Sequence, residues 1–106
     1  MNGNMKQEPW EPMPCMKQVE LENGDKELFY QVFYQLVRVE EELRECRLVW
    51  REMCYLHRET KDRMAEELTD VITAATTAME ILGYDLEKRR EMQEFVNEKN
   101  NSRGYF

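Results

Sequence analysis

Apolar residues recur at alternating spacings of three and four through the middle of the chain: Phe29, Val32, Leu36, Val39, Leu43, Cys46, Trp50, Met53 and His57. That period places them on one stripe of a helix and predicts a first long helix from about Lys26 to about His57. Leu28, Val49 and Leu56 widen the stripe along a line that also carries Glu42, whereas Glu45 falls further toward solvent. A break is predicted over Arg58 to Thr60, with Thr60 as an N-cap. A second helix should run from about Lys61 to Leu82, its stripe formed by Met64, Leu68, Val71, Ala75, Ala78 or Met79, and Leu82. A neighbouring line holds Glu67, Val71, Ala74 and Ala78, so Glu67 also points toward packed surface. The small residues Ala74, Ala75 and Ala78 would let another helix approach closely. Gly83 is a natural stop, and Asp85 can cap a last helix from Leu86 to about Asn100, anchored by Met92, Phe95 and Val96.

Residues 1–24 show no such period. They contain Pro9, Pro12 and Pro14, and the reading is an extended arm whose Trp10 and methionines pack on the body or on a partner. The Asn23-Gly24 turn leads to Asp25, an expected N-cap. No segment alternates as a strand would, so residues 25–106 form a single all-α domain, a helical bundle with a long first helix. A chain of 106 residues buries a small core. Its wide apolar stripe therefore predicts completion by oligomerisation, as a homodimer or homotetramer.

Charge narrows the function. A net charge of −7 and a pI near 4.8 argue against a binder of nucleic acid polymers. They leave a nucleotide ligand open, because a metal can bridge carboxylates to phosphates. No apolar run reaches the length of a membrane span, and residues 1–7 lack the apolar core of a signal peptide. Cys15, Cys46 and Cys54 form no C-x-x-C pair. Reduced thiols in a cytoplasmic protein are the expectation.

Two copies of one acidic pattern stand out, Glu41-Glu42-Leu43-Arg44-Glu45 and Glu66-Glu67-Leu68-Thr69-Asp70. Each sets carboxylates three residues apart on one helix face and adds a repulsive i,i+4 pair. Something positive between the helices would offset that repulsion, and a hard divalent cation suits an all-oxygen donor set. Similar spacings occur at Glu22/Asp25, Glu59/Asp62 and Glu91/Glu94, and Arg38 and Arg63 are placed to neutralise Glu42 and Glu67 as ordinary surface pairs. What distinguishes the two chosen motifs is position, beside apolar stripes on helices able to pack antiparallel. Other candidates are weaker. Cys54 and His57 lack the further ligands of a zinc site. No E-x-x-H motif of a di-iron bundle occurs. Trp50 and the tyrosines at 30, 34 and 55 fit packing better than base stacking.

In order and spacing, Glu42-x-x-Glu45 followed by Glu67-x-x-Asp70 resembles the MazG-like, all-α NTP pyrophosphohydrolases. The Glu-Glu-Leu lead-in to both halves and the closing Asn100-x-x-Arg103-Gly104-Tyr105 are similar to that family as well. Many members place a lysine four residues before that asparagine; Val96 stands there in this chain, and Lys99 is the nearest basic residue. The resemblance covers roughly Asp25 to the C-terminus. It implies hydrolysis of a nucleoside triphosphate to monophosphate and pyrophosphate, by attack of a metal-bound water at the α phosphorus. By the same resemblance Glu42, Glu45, Glu67 and Asp70 would be the catalytic residues and the ligands of Mg²⁺, with Mn²⁺ as an alternative. Lys99, Asn100 and Arg103 would grip substrate phosphates. Two alternatives stay open: a non-catalytic helical oligomerisation protein, and a pyrophosphohydrolase of the same fold acting on phosphoribosyl-ATP.

Overall fold

The computed structural model describes residues 5–56 and 59–106. Among them the chain is all-helical, with α1 at Met16–Asn23, α2 at Leu28–Tyr55, α3 at Lys61–Ile81 and α4 at Leu86–Ser102. Among the described residues no helix is long and apolar enough to cross a membrane. The expected end of the first helix at His57 lies outside the described residues.

The body is the pair α2 and α3, packed antiparallel. At 1.5 Å per residue α2 is about 42 Å long, more than the ~31 Å of α3. Arg63 at the start of α3 bonds Glu52 near the end of α2 at 2.6 Å, which fixes the direction and the register. Between the two helices lie Cys46 and Val49 from α2 and Ala74, Ala78 and Ile81 from α3. The alanines bring the backbones close, as their spacing suggests. Ala75 is exposed and takes no part.

Which line of each helix packs differs from the sequence reading. Phe29 is 79% exposed, Leu36 and Leu43 are also exposed, and Trp50 stands 54% free, whereas Val49 is 0% exposed. The buried line of α2 is thus the one carrying Gln35, Glu42 and Val49. On α3 it is the line carrying Glu67, Ala74, Ala78 and Ile81, while Leu68 and Leu82 remain exposed. The cause is geometric. α2 has an apolar surface wider than one helix–helix contact can cover. With α3 as its principal partner in the chain, only one edge of that surface is buried. The edge chosen brings the two acidic motifs face to face.

The N-terminal segment also differs from expectation. Residues 16–23 are helical rather than extended, in a stretch free of the prolines that precede it. The Cys15 backbone N–H donates to the Thr77 hydroxyl at 2.9 Å, and Val19 inserts into the core as the one buried apolar side chain of α1. Tertiary contacts, not periodicity, hold so short a helix. Gly24, at φ +56°, turns the chain toward α2. Asp25 does not cap α2; Glu27 occupies that position without a side-chain cap bond.

α4 is loosely attached. Asp85 caps it as predicted, accepting from the Lys88 N–H at 3.0 Å. None of its residues is fully buried. It is tied to α3 by the Arg89–Glu80 ion pair and to the arm by Arg90, whose Nε donates to Glu11 at 2.8 Å. That guanidinium, with the Glu8 backbone N–H, holds the Glu11 carboxyl below the usual carboxylate range. Trp10 lies exposed over the groove between the arm, α3 and α4.

Candidate metal centre

Antiparallel packing of the Glu42 line against the Glu67 line brings three carboxylates together. Oxygens of Glu42, Glu67 and Asp70 lie within 4.8 Å of one another. Glu67 and Asp70 come from adjacent positions on one face of α3, and Glu42 projects from α2 opposite. Glu42 and Glu67 are half-buried, and Asp70 is exposed at the mouth. Glu45, which the resemblance made a fourth ligand, is exposed and stands outside the trio.

The arginines that would have made these ordinary surface pairs form no ion pair with the three carboxylates, although Arg38 lines the same cleft as Glu42 and Asp70. Arg38 faces Glu22 at 3.7 Å rather than Glu42, and Arg63 bonds Glu52 rather than Glu67. Among the described residues none of the three carboxylates enters an ion pair or accepts a side-chain hydrogen bond. The electrostatic consequence falls on Glu67. Desolvation raises its pKa, and the charges of Asp70, Glu45 and Glu42 raise it further. A cation in the cluster would reverse those repulsions.

The donor set suits a hard ion. Two oxygens on opposite sides of an octahedral Mg²⁺ are about 4.2 Å apart, so small rotamer changes would close the cluster on that ion, with waters completing its shell. The nearby Cys46 thiol is buried, and its pKa is pushed up by burial and by the charges of Glu67 and Glu42. It stays a neutral thiol, which disfavours a soft metal held by thiolate.

From Glu42 and Asp70 a cleft of about 110 Å³ runs between α2, α3 and the start of α1. Gln35 and Thr77 form its far end. These residues escaped the sequence reading, although one signal was present. Gln35 is a polar residue on the apolar line of Glu42 and Val49, two helical turns before Glu42.

Lys99, Asn100 and Arg103 line no part of this cleft. The tail motif has a clear local role instead. Gly104, at φ +78°, ends α4: its N–H donates to the Asn101 carbonyl and the Tyr105 N–H to the Asn100 carbonyl, both at 3.0 Å. This is the same termination that Gly83 and Tyr84 give α3. The chain matches no protein-family model, no curated protein and no solved structure at a significant level.

Proposed function

We propose that the protein is a Mg²⁺-dependent nucleoside triphosphate pyrophosphohydrolase of MazG-like type. The observation that carries this reading is the convergence of Glu42, Glu67 and Asp70 from two helices, none of them in an ion pair among the described residues. Glu67, half-buried beside Asp70, Glu45 and Glu42, is disfavoured as a carboxylate, and a cation would relieve that. In the proposed reaction a water adds to the α phosphorus and the bond from that phosphorus to the α–β bridging oxygen breaks. Monophosphate and pyrophosphate leave, and the water's proton passes to a carboxylate or to solvent. Mg²⁺, or Mn²⁺ in its place, would neutralise the triphosphate and acidify water. Glu42, Glu67 and Asp70 would hold the ion. Glu45, outside the trio and next to it along α2, is assigned to orienting or deprotonating the water.

Lys99, Asn100 and Arg103 are proposed as the phosphate grip. Because they do not border the cleft within one chain, that role needs either a swing of the loosely held α4 or the tail of a second copy. The uncovered Phe29, Leu36, Leu43 and Trp50 line on α2 supports a homo-oligomer. The same surface favours a second reading, a helical interaction protein without catalysis.

Chromatography of products after incubation with Mg²⁺ and a panel of ribo- and deoxynucleoside triphosphates, with phosphoribosyl-ATP included, tests the proposal. Monophosphate plus pyrophosphate is expected from the wild type and neither from Glu67→Gln. No turnover and no Mg²⁺-dependent nucleotide binding would refute it in favour of the interaction protein.

A further inference from the structure

Among the described residues one cation lines the cleft beside Glu42 and Asp70, and it is Arg38. It precedes Glu42 by one helical turn, about 6 Å along α2, so both side chains reach the cleft from the same helix face. Its ion-pair partner, Glu22 near the end of α1, lies at 3.7 Å. That is beyond hydrogen-bond range, and both side chains are partly exposed, so the pair is weak. Glu22 accepts its hydrogen bond from Gln18 instead, at 2.8 Å. A guanidinium carries a planar fork of N–H donors, and the contact with Glu22 engages none of them. The acidic trio thus calls for a cation while Arg38, one turn away in the same cleft, calls for an anion. A polyphosphate carrying a divalent metal satisfies both.

We infer that Arg38 grips the β and γ phosphates of the substrate, and so the pyrophosphate that leaves, while the acidic trio holds the metal toward the α phosphorus. The inference rests on the proposed hydrolase reading and adds a phosphate-binding residue to it. One helical turn between Arg38 and Glu42 is comparable with the span from the first to the last phosphorus of a triphosphate. The guanidinium fork matches two phosphate oxygens at once. When the bond to the α phosphorus breaks, negative charge grows on the departing pyrophosphate, so a cation placed there lowers the barrier as well as binding the ground state. The other polar linings, Gln18, Gln35, Thr73 and Thr77, are uncharged and add no repulsion. Arg38 also supplies within one chain the cation that Lys99 and Arg103 do not bring to the cleft. Glu22 becomes a competitor, because it draws the guanidinium toward α1 when no phosphate is bound.

The test is calorimetric titration of inorganic pyrophosphate, in Mg²⁺, into the full chain and its variants. Pyrophosphate is used because its binding is read whether or not the protein hydrolyses triphosphates. Arg38→Met is expected to weaken binding by about 10- to 100-fold, the worth of hydrogen bonds between charged groups, and Arg38→Lys to keep part of the affinity. Arg51→Met is the charge-matched control. It is exposed on α2 and does not line the cleft. At about 20 Å along the helix from Arg38 it should change binding by less than about twofold. Glu22→Gln should tighten binding, a gain that a misfolded protein cannot imitate, and the gain should vanish when combined with Arg38→Met. No binding by the wild type, Arg38→Met equal to wild type, an equal loss in Arg51→Met, or a Glu22→Gln gain that is missing or survives without Arg38 would overturn the inference. The two readings fail separately. Arg38-dependent pyrophosphate binding without triphosphate cleavage would remove the hydrolase and keep the anion site. Cleavage by Arg38→Met with wild-type kcat and KM would do the reverse.

Discussion

Replacing Thr77 by valine probes the tie that holds α1 against the body and closes the far end of the cleft. Valine preserves the shape of a side chain that is 1% exposed, so packing changes little, and only the hydroxyl is lost. The bond it gave to the Thr73 carbonyl matters little, because that carbonyl remains within the α3 ladder. The bond it accepted from the Cys15 N–H, at 2.9 Å, links residues 62 apart in sequence and has no replacement. Cys15 is itself exposed, so its freed N–H can be rehydrated and the full penalty of a buried orphan does not apply. A net loss of about 1 kcal/mol follows, or about 4 °C in Tm for a domain of this size. Thermal unfolding at fixed protein concentration measures the loss, and amide exchange locates it. The Cys15 N–H and α1 should exchange faster, with the α2–α3 core unchanged. A Tm within 1 °C of wild type together with unaltered exchange in α1 would show that the arm is held by something other than this bond.

Four further outcomes are expected. Glu67→Gln should make the metal-free protein more stable at neutral pH, since burial and its acidic neighbours disfavour the charge it carries; urea denaturation in EDTA that finds the variant equal or weaker contradicts this. For the same reason Mg²⁺ binding should weaken as pH falls through the raised Glu67 pKa and release protons only within that range, which calorimetry in buffers of different ionisation enthalpy would detect. Glu11 behaves oppositely: its folded pKa is depressed, so its contribution to stability is present above the ordinary carboxylate pKa and is lost as pH falls through the folded value. Glu11→Gln should remove that part of the acid sensitivity, and an unchanged pH profile would rule the Arg90 pair out as its source. Finally, Phe29→Lys combined with Trp50→Lys should shift the protein toward monomer in sedimentation equilibrium, because both side chains are uncovered within the chain; a wild type that is already monomeric would dispose of the oligomer.

The sequence by itself determined the elements of the body. The periods of three and four, the Gly83 and Asp85 signals and the absence of alternation placed α2, α3 and α4 within a few residues of where they stand. It also singled out Glu42, Glu45, Glu67 and Asp70 from two copies of one acidic pattern, and three of those four converge. It could not tell which edge of a stripe too wide for one partner would be buried. Periodicity defines a helix face only to within a line or two, and the choice between neighbouring lines belongs to the packing partner. Antiparallel docking of α3 made that choice. It buried Val49 rather than Leu36 or Trp50, turned Glu42 toward Glu67, and drew Arg38 and Arg63 to other acids. The helix at 16–23 follows from a contact between residues 62 positions apart, and the cleft from side chains on separate helices. Local pattern carries no record of such distances, so only the tertiary structure decided them.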